Sequence, residues 1–187
     1  MSAQYREIEL KHPIRNPEVV ELRLRSLGAR QTVDQQYQED VYYVPAHRDF
    51  LAETIVSEWI RIRRTDGGAS FNYKRWLPVG AEVQTHCDEY ETGVTDVTAT
   101  ELILKALDMR EIVRVRKHRS SWLLHDVEVS IDEVEGLGAF IELEAKTHSE
   151  DTDGILSSLR DLLKNLEADV LPQDRRGYPY QLLNRQK

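Results

Sequence analysis

The stretch Glu7-Ile8-Glu9-Leu10-Lys11 places two carboxylates and an ammonium at every second residue. In an extended strand successive side chains point to opposite faces, so Glu7, Glu9 and Lys11 share one face and Ile8 and Leu10 the other. The pattern recurs along the chain. Arg61 and Arg63 alternate with Ile60 and Ile62, and Asn72 and Lys74 alternate with Phe71 and Tyr73. Glu89 and Glu91 flank Tyr90, and Lys117 and Arg119 flank His118. Glu128, Ser130 and Asp132 lie opposite Val127, Val129 and Ile131, and Glu142, Glu144 and Lys146 lie opposite Ile141, Leu143 and Ala145. Grouped carboxylates suit a hard divalent cation such as magnesium or manganese. Grouped Arg and Lys suit an oligophosphate, because a guanidinium fork matches phosphate oxygens. Both sets in one cavity would describe a metal–triphosphate complex.

The elements that carry these residues follow from periodicity. Alternation of period two predicts strands at Tyr5–His12, Gln38–Val44, Glu58–Arg64, Phe71–Trp76, Cys87–Thr92, Glu111–His118, Ser121–Val134 and Ala139–Lys146. The Ser121–Val134 run is long for one strand and is expected to bend or end near Asp132. Gly67-Gly68 reads as a hairpin loop between two of the strands. Spacings of three and four predict three helices. The first follows Asn16-Pro17 and stops at Gly28; the second lies in "DVTATELILKALD"; the third lies in "DTDGILSSLRDLLKNLEA", with a leucine stripe. The fold class expected is α+β: a closed, mainly antiparallel eight-stranded barrel with flanking helices. From periodicity alone the charged faces read either as the wet side of an ordinary sheet or as the lining of a tunnel. Acids pair on some strands and bases on others, unlike an interspersed surface. The amphipathic helices also need apolar strand faces to pack on. Both points favour charges turned inward.

Bulk composition sets limits. The 187 residues suit a single domain over 1–187, and 40% hydrophobic with 31% charged residues is globular composition. A net charge of −8 argues against general nucleic-acid binding. No apolar run is long enough for a membrane span, and no leader is visible. The single cysteine, Cys87, allows no internal disulfide, so the expected compartment is cytoplasmic.

The ordered set of motifs resembles the CYTH superfamily, the triphosphate tunnel metalloenzymes. Its Glu-x-Glu-x-Lys signature is similar to Glu7-Ile8-Glu9-Leu10-Lys11. Its Arg-x-Arg strand is similar to "WIRIR", its lysine strand to "FNYK" and its acidic strand to "DEYE". Its Lys-x-Arg before an aromatic is similar to "KHRSSW", and its Asp, Gly-Leu-Gly and Glu-x-Glu series to "SIDEVEGLGAFIELE". "DVYYVPAHRDF", "VEGLGAFIELE" and the tail "RGYPYQLL" further resemble the class IV adenylyl cyclase branch, although "KRW" stands where that branch has a Gly-Pro turn. The resemblance implies that Glu7, Glu9, Glu142 and Glu144 hold Mg²⁺ or Mn²⁺, and that Lys11, Arg61, Arg63, Lys74, Lys117 and Arg119 grip a triphosphate. It implies a catalytic set of Glu7, Glu9, Lys11 and Asp132, with Glu89 and Glu91 in support.

Three functions remain open at this level. The first is a cyclase that converts ATP to cyclic AMP and pyrophosphate. The second is a hydrolase of inorganic triphosphate or thiamine triphosphate. The third is a non-catalytic oligophosphate receptor. Paired carboxylates favour the enzymes, since a pure polyanion receptor gains nothing from added negative charge without a metal. His12 and His118 alternate to the apolar side and read as packed or surface residues. Cys87 reads as a packing residue, since no histidine partner is recognisable. Arg175 and Arg176 read as cover for a tunnel mouth or as a solvated tail. The last helix's leucine stripe reads as core, with the face of a homodimer as the alternative.

Overall fold

The computed structural model describes residues 6–53, 55–81, 84, 86–172 and 177–185. Eight strands form a closed antiparallel barrel in the order β1-β5-β4-β3-β2-β6-β7-β8. They are β1 (Arg6–Pro13), β2 (Arg30–Pro45), β3 (Glu58–Thr65), β4 (Gly68–Leu77), β5 (His86–Val94), β6 (Met109–Leu124), β7 (Val127–Val134) and β8 (Gly138–Thr147). Four helices accompany them: α1 (Pro17–Ser26), α2 (Val97–Ala106), α3 (Thr152–Asn165) and α4 (Gly177–Arg185). None is long and apolar enough to cross a membrane. The chain divides into two compact units, Met1–Gln36 with Lys117–Arg175 and Tyr37–Arg116 with Arg176–Lys187.

In the first unit the apolar sides of the strands build the core. Ile8 and Leu10 of β1, Trp122 and Leu124 of β6, Val129 and Ile131 of β7 and Ile141 and Leu143 of β8 pack with Val20 and Leu24 of α1 and Leu159 and Leu163 of α3. Each such side chain contributes roughly 1.5–3 kcal/mol on burial. A slip of one residue would exchange these side chains for the charged ones, so the core fixes the register. The leucine stripe of α3 is therefore core. Asn16 stands at the start of α1 but does not cap it with its side chain. Instead it donates to the Glu167 carbonyl at 3.0 Å and accepts from the Asp169 amide at 2.8 Å, which ties that end of the helix to the chain after α3. Asp151 caps α3 by accepting from the Gly154 amide at 2.9 Å.

The second unit repeats the plan on a smaller scale. Val41 and Tyr43 of β2 and Ile62 of β3 pack with Leu104 of α2, with Ile60, Phe71, Val97 and Met109 around them. Asp96 caps α2 through the Ala99 amide at 2.9 Å. The β3–β4 turn is tight, with Thr65 paired to Gly68.

Three expectations need correction. The runs Glu111–His118 and Ser121–Val134 divide differently: β6 continues to Leu124, and a turn at His125-Asp126 separates it from β7. His125 takes a left-handed φ of 54°, a turn made without glycine. β2 starts at Arg30, eight residues before the predicted Gln38, in a polar stretch that includes Gln35 at φ 44°. A fourth helix, α4, adds to the three that spacing predicts. Pro179 sits in the helix's first turn, where a missing amide costs nothing. Tyr5, Arg175 and Arg176 lie outside the described residues.

Candidate active site

β1 and β8 pair so that Glu7 faces Lys146, Glu9 faces Glu144 and Lys11 faces Glu142. Like charges directly opposite destabilise a sheet, so Glu9 and Glu144 call for a cation. One oxygen each from Glu9, Glu142 and Glu144 comes within 4.8 Å of the others. Three carboxylate oxygens at such spacing fit the ligand sphere of a hard divalent ion. Cationic side chains border the group. The Lys11 ammonium lies 2.6 Å from Glu9 Oε1 and 3.0 Å from Glu142 Oε2. Burial pulls the Lys11 pKa down, but Glu142 and Glu9 outweigh it and raise the value above the ordinary one. Lys11 therefore stays charged at neutral pH.

Asp132 of β7 stands beside this group and accepts from two residues of β6. Lys117 Nζ donates to its Oδ2 at 2.8 Å, Arg119 Nε to Oδ1 at 2.6 Å and Arg119 Nη2 to Oδ2 at 2.7 Å. The same Arg119 Nη2 reaches Glu142 Oε2 at 3.2 Å. Asp132 is only 1% exposed. Burial pushes its pKa up, but Arg119 and Lys117 more than offset this and hold the carboxyl well below the usual range. An ionised, triply bonded Asp132 is a holder of cations and a poor proton acceptor. Glu7 is buried, 3.5 Å from Lys146 Nζ, which also reaches Glu144 at 3.3 Å. Glu128 faces Glu144 across β7–β8 from an exposed position.

The second unit carries a different set. Arg61 and Arg63 of β3 converge on Asp40 of β2. Arg63 donates Nε to Oδ1 and Nη2 to Oδ2, both at 2.7 Å, and Arg61 Nη1 donates to Oδ2 at 3.2 Å. Burial opposes the charge on Arg61, but Asp40, Tyr42 and Glu89 raise its pKa further. Lys74 of β4 lies 3.2 Å from Glu89 Oε2 of β5, and the buried Asn72 amide donates to Glu89 Oε1. Glu91 is exposed and accepts from the Ser70 hydroxyl at 2.8 Å, so the two supporting acids differ in setting. Asp40 was missed from the sequence. Its signal was there, since Gln38, Asp40 and Tyr42 alternate as the other charged strands do.

Outside these sets, His118 is exposed, the His12 ring nitrogen lies 3.4 Å from the Leu171 carbonyl and Cys87 is buried.

Comparison with known proteins agrees with this arrangement of strands and motifs. A family model described as the CYTH domain matches residues 5–178. The chain belongs to the CYTH family. A Methanocaldococcus jannaschii protein named as a candidate adenylate cyclase is 34% identical over 161 residues, covering 86% of this CYTH chain and 89% of the relative. A solved Pyrococcus horikoshii protein has a TM-score of 0.78 at 28% identity, covering 96% of this chain and 99% of that one. A Hippeastrum protein described as a candidate adenylyl cyclase with a dominant triphosphatase activity has a TM-score of 0.64 at 16% identity, covering 97% and 96%. At that identity the likeness is one of fold.

Proposed function

We propose that the protein is a metal-dependent enzyme of triphosphates whose reaction is the conversion of ATP to cyclic AMP and pyrophosphate. The observation that carries this reading is the group of Glu9, Glu142 and Glu144 bordered by Lys11 and Arg119, with Lys117 held on Asp132, which shares Arg119 with Glu142. A receptor for polyanions has no use for three converging carboxylates. The relative named as a candidate adenylate cyclase supports the choice of cyclase.

Glu9, Glu142 and Glu144 would hold Mg²⁺ or Mn²⁺, with Glu7 acting on them through Lys146. A bound divalent ion supplies charge neutralisation on phosphoryl oxygens and lowers the pKa of an oxygen nucleophile. Lys11, Lys117 and Arg119 would stabilise charge that develops on phosphate, and Arg61, Arg63 and Lys74 of the second unit would also bind phosphate. Asp132 keeps Lys117 and Arg119 in place, and Glu89 does the same for Lys74. In the reaction the ATP 3′ oxygen forms a bond to the α-phosphorus, the bond to the bridging α–β oxygen breaks and pyrophosphate leaves. The 3′ proton cannot go to Lys11, which is already protonated. Asp132 is too weak a base, so one of the glutamates or water accepts it.

Product identification tests this. Incubation with Mg²⁺ or Mn²⁺ and, separately, ATP, inorganic triphosphate and thiamine triphosphate is expected to give cyclic AMP and pyrophosphate from ATP. Orthophosphate without a cyclic nucleotide would replace the cyclase by a hydrolase, the activity described for the Hippeastrum fold neighbour. Binding that survives chelation of metal, with no turnover of any substrate, would leave the receptor.

A further inference from the structure

Asp40 poses a problem of charge. If Arg61 and Arg63 bind phosphate, as the proposed function has it, an acid between them subtracts from the attraction. Asp40 is nevertheless 1% exposed and satisfied by three guanidinium hydrogen bonds. The β2–β3 register sets it directly opposite Arg63, and sets Tyr42 directly opposite Arg61. Tyr42 is held edge-on against Trp59, with ring centroids 5.5 Å apart. Arg63 spends its Nε–Nη2 edge on Asp40, which leaves the opposite edge of the fork to a ligand. Arg61 Nε is buried and has no hydrogen-bond partner among the described residues. Two guanidiniums on one carboxylate also leave one positive charge over.

We infer that Asp40 is a positioning residue, which fixes the two guanidiniums at a set spacing and orientation for neighbouring phosphoryl groups. Its benefit is geometric and its electrostatic effect is adverse. An arginine side chain left loose loses rotamer freedom each time a ligand binds, and a fork already held does not. The two effects predict opposite outcomes when the charge is removed. A mere counter-charge, once neutralised as Asp40→Asn, leaves a site that binds oligophosphate more tightly. A positioning residue, once neutralised, leaves a site that binds it more weakly.

The test uses the full chain and inorganic tripolyphosphate, titrated calorimetrically in the presence of chelator, together with steady-state kinetics on ATP and Mg²⁺. The expected result is a dissociation constant weakened by about tenfold or more in Asp40→Asn, the loss of one or two charge-assisted hydrogen bonds. Binding stoichiometry stays unchanged, KM for ATP rises and kcat changes far less. Asp40→Glu recovers part of the affinity. Equal or tighter tripolyphosphate binding by Asp40→Asn overturns the inference. So does a fall in stoichiometry with an unchanged constant, which marks a structural role only. If Asp40→Asn does not fold, Asp40→Glu carries the test: its constant should lie at least about threefold above the parent's, from displaced forks, and equality overturns the inference. Tripolyphosphate binding is read without turnover, so a failure of cyclase chemistry does not disturb this measurement. A parent protein that binds no tripolyphosphate under chelation overturns the inference, and the proposed function falls with it only if ATP with Mg²⁺ is not turned over either.

Discussion

Asp132 in the first unit and Asp40 in the second are close counterparts. Each is 1% exposed, and each is clamped by two cationic side chains of an adjacent strand. Their surroundings differ. In the first unit, among the described residues, ion pairs link Asp132, Glu7, Glu9, Glu142 and Glu144 with Lys11, Lys117, Arg119 and Lys146, so acids outnumber bases by one in this set. Around Asp40, among the described residues, the ion pairs join Asp40 and Glu89 to Arg61, Arg63 and Lys74, so bases outnumber acids by one in this set. The same motif of an acid holding two cations thus serves opposite ends. With surplus carboxylate it leaves room for a divalent ion, and with surplus guanidinium it leaves room for phosphate.

Kinetics can break this contrast most sharply. Glu142→Gln should cut kcat by about a thousandfold, because a metal site supplies several kcal/mol of transition-state stabilisation. Arg63→Ala should act chiefly on KM, raising it roughly tenfold to a hundredfold through lost ground-state binding. Steady-state kinetics across a Mg²⁺ series would show the difference, and two variants that alter the same parameter would erase it.

Stability offers the next test. Asp132→Ala should cost about 3–5 kcal/mol in urea unfolding, since Lys117 and Arg119 would stay buried without their partner. The acid limb of the pH–stability curve gives a finer one. Asp132 has a depressed pKa in the folded protein, so its contribution is complete above the ordinary carboxylate value of about 4 and is lost as pH falls below it. Lys11 has a raised pKa, so its contribution is complete below the ordinary lysine value of about 10.4 and is lost as pH rises through the raised one. Between these limits neither group changes stability. Denaturation midpoints below pH 4 should fall more steeply for the parent than for Asp132→Asn, and equal slopes would remove Asp132 from the account. The smallest effect belongs to the control. Glu111 and Arg114 are paired at 2.6 Å, but their side chains are 42% and 37% exposed. Glu111→Gln should cost less than about 1 kcal/mol. A larger loss would mean that burial does not separate strong pairs from weak ones in this protein.

Much of this architecture could be read from the sequence because a charged barrel face writes itself as strict alternation. The apolar faces of β1, β7 and β8 stood out for the same reason, and the register they impose brought Glu9, Glu142 and Glu144 together as neighbours. Where alternation carries no contrast, reading failed. The first half of β2, Arg30 to Tyr37, is mostly polar, and the turn at His125-Asp126 has no glycine or proline to mark it. Asp40 escaped notice because it is a lone acid between Gln38 and Tyr42, and its partners sit on another strand. That Lys146 would reach both Glu7 and Glu144 was also hidden, since strand periodicity places side chains on a face but does not say where their ends meet.

Cys87 has a practical consequence. It is the chain's single cysteine, it lies on β5 opposite Trp76 and it is 0% exposed. A thiol reagent therefore has one target and no access to it until the second unit opens. The rate of modification is a built-in clock for that opening, and no label has to be engineered. If tripolyphosphate engages Arg61 and Arg63 of β3, two strands away in the sheet order, the clock should slow in its presence, by a factor that follows ligand concentration over affinity. A divalent ion added alone should leave it running at its own pace.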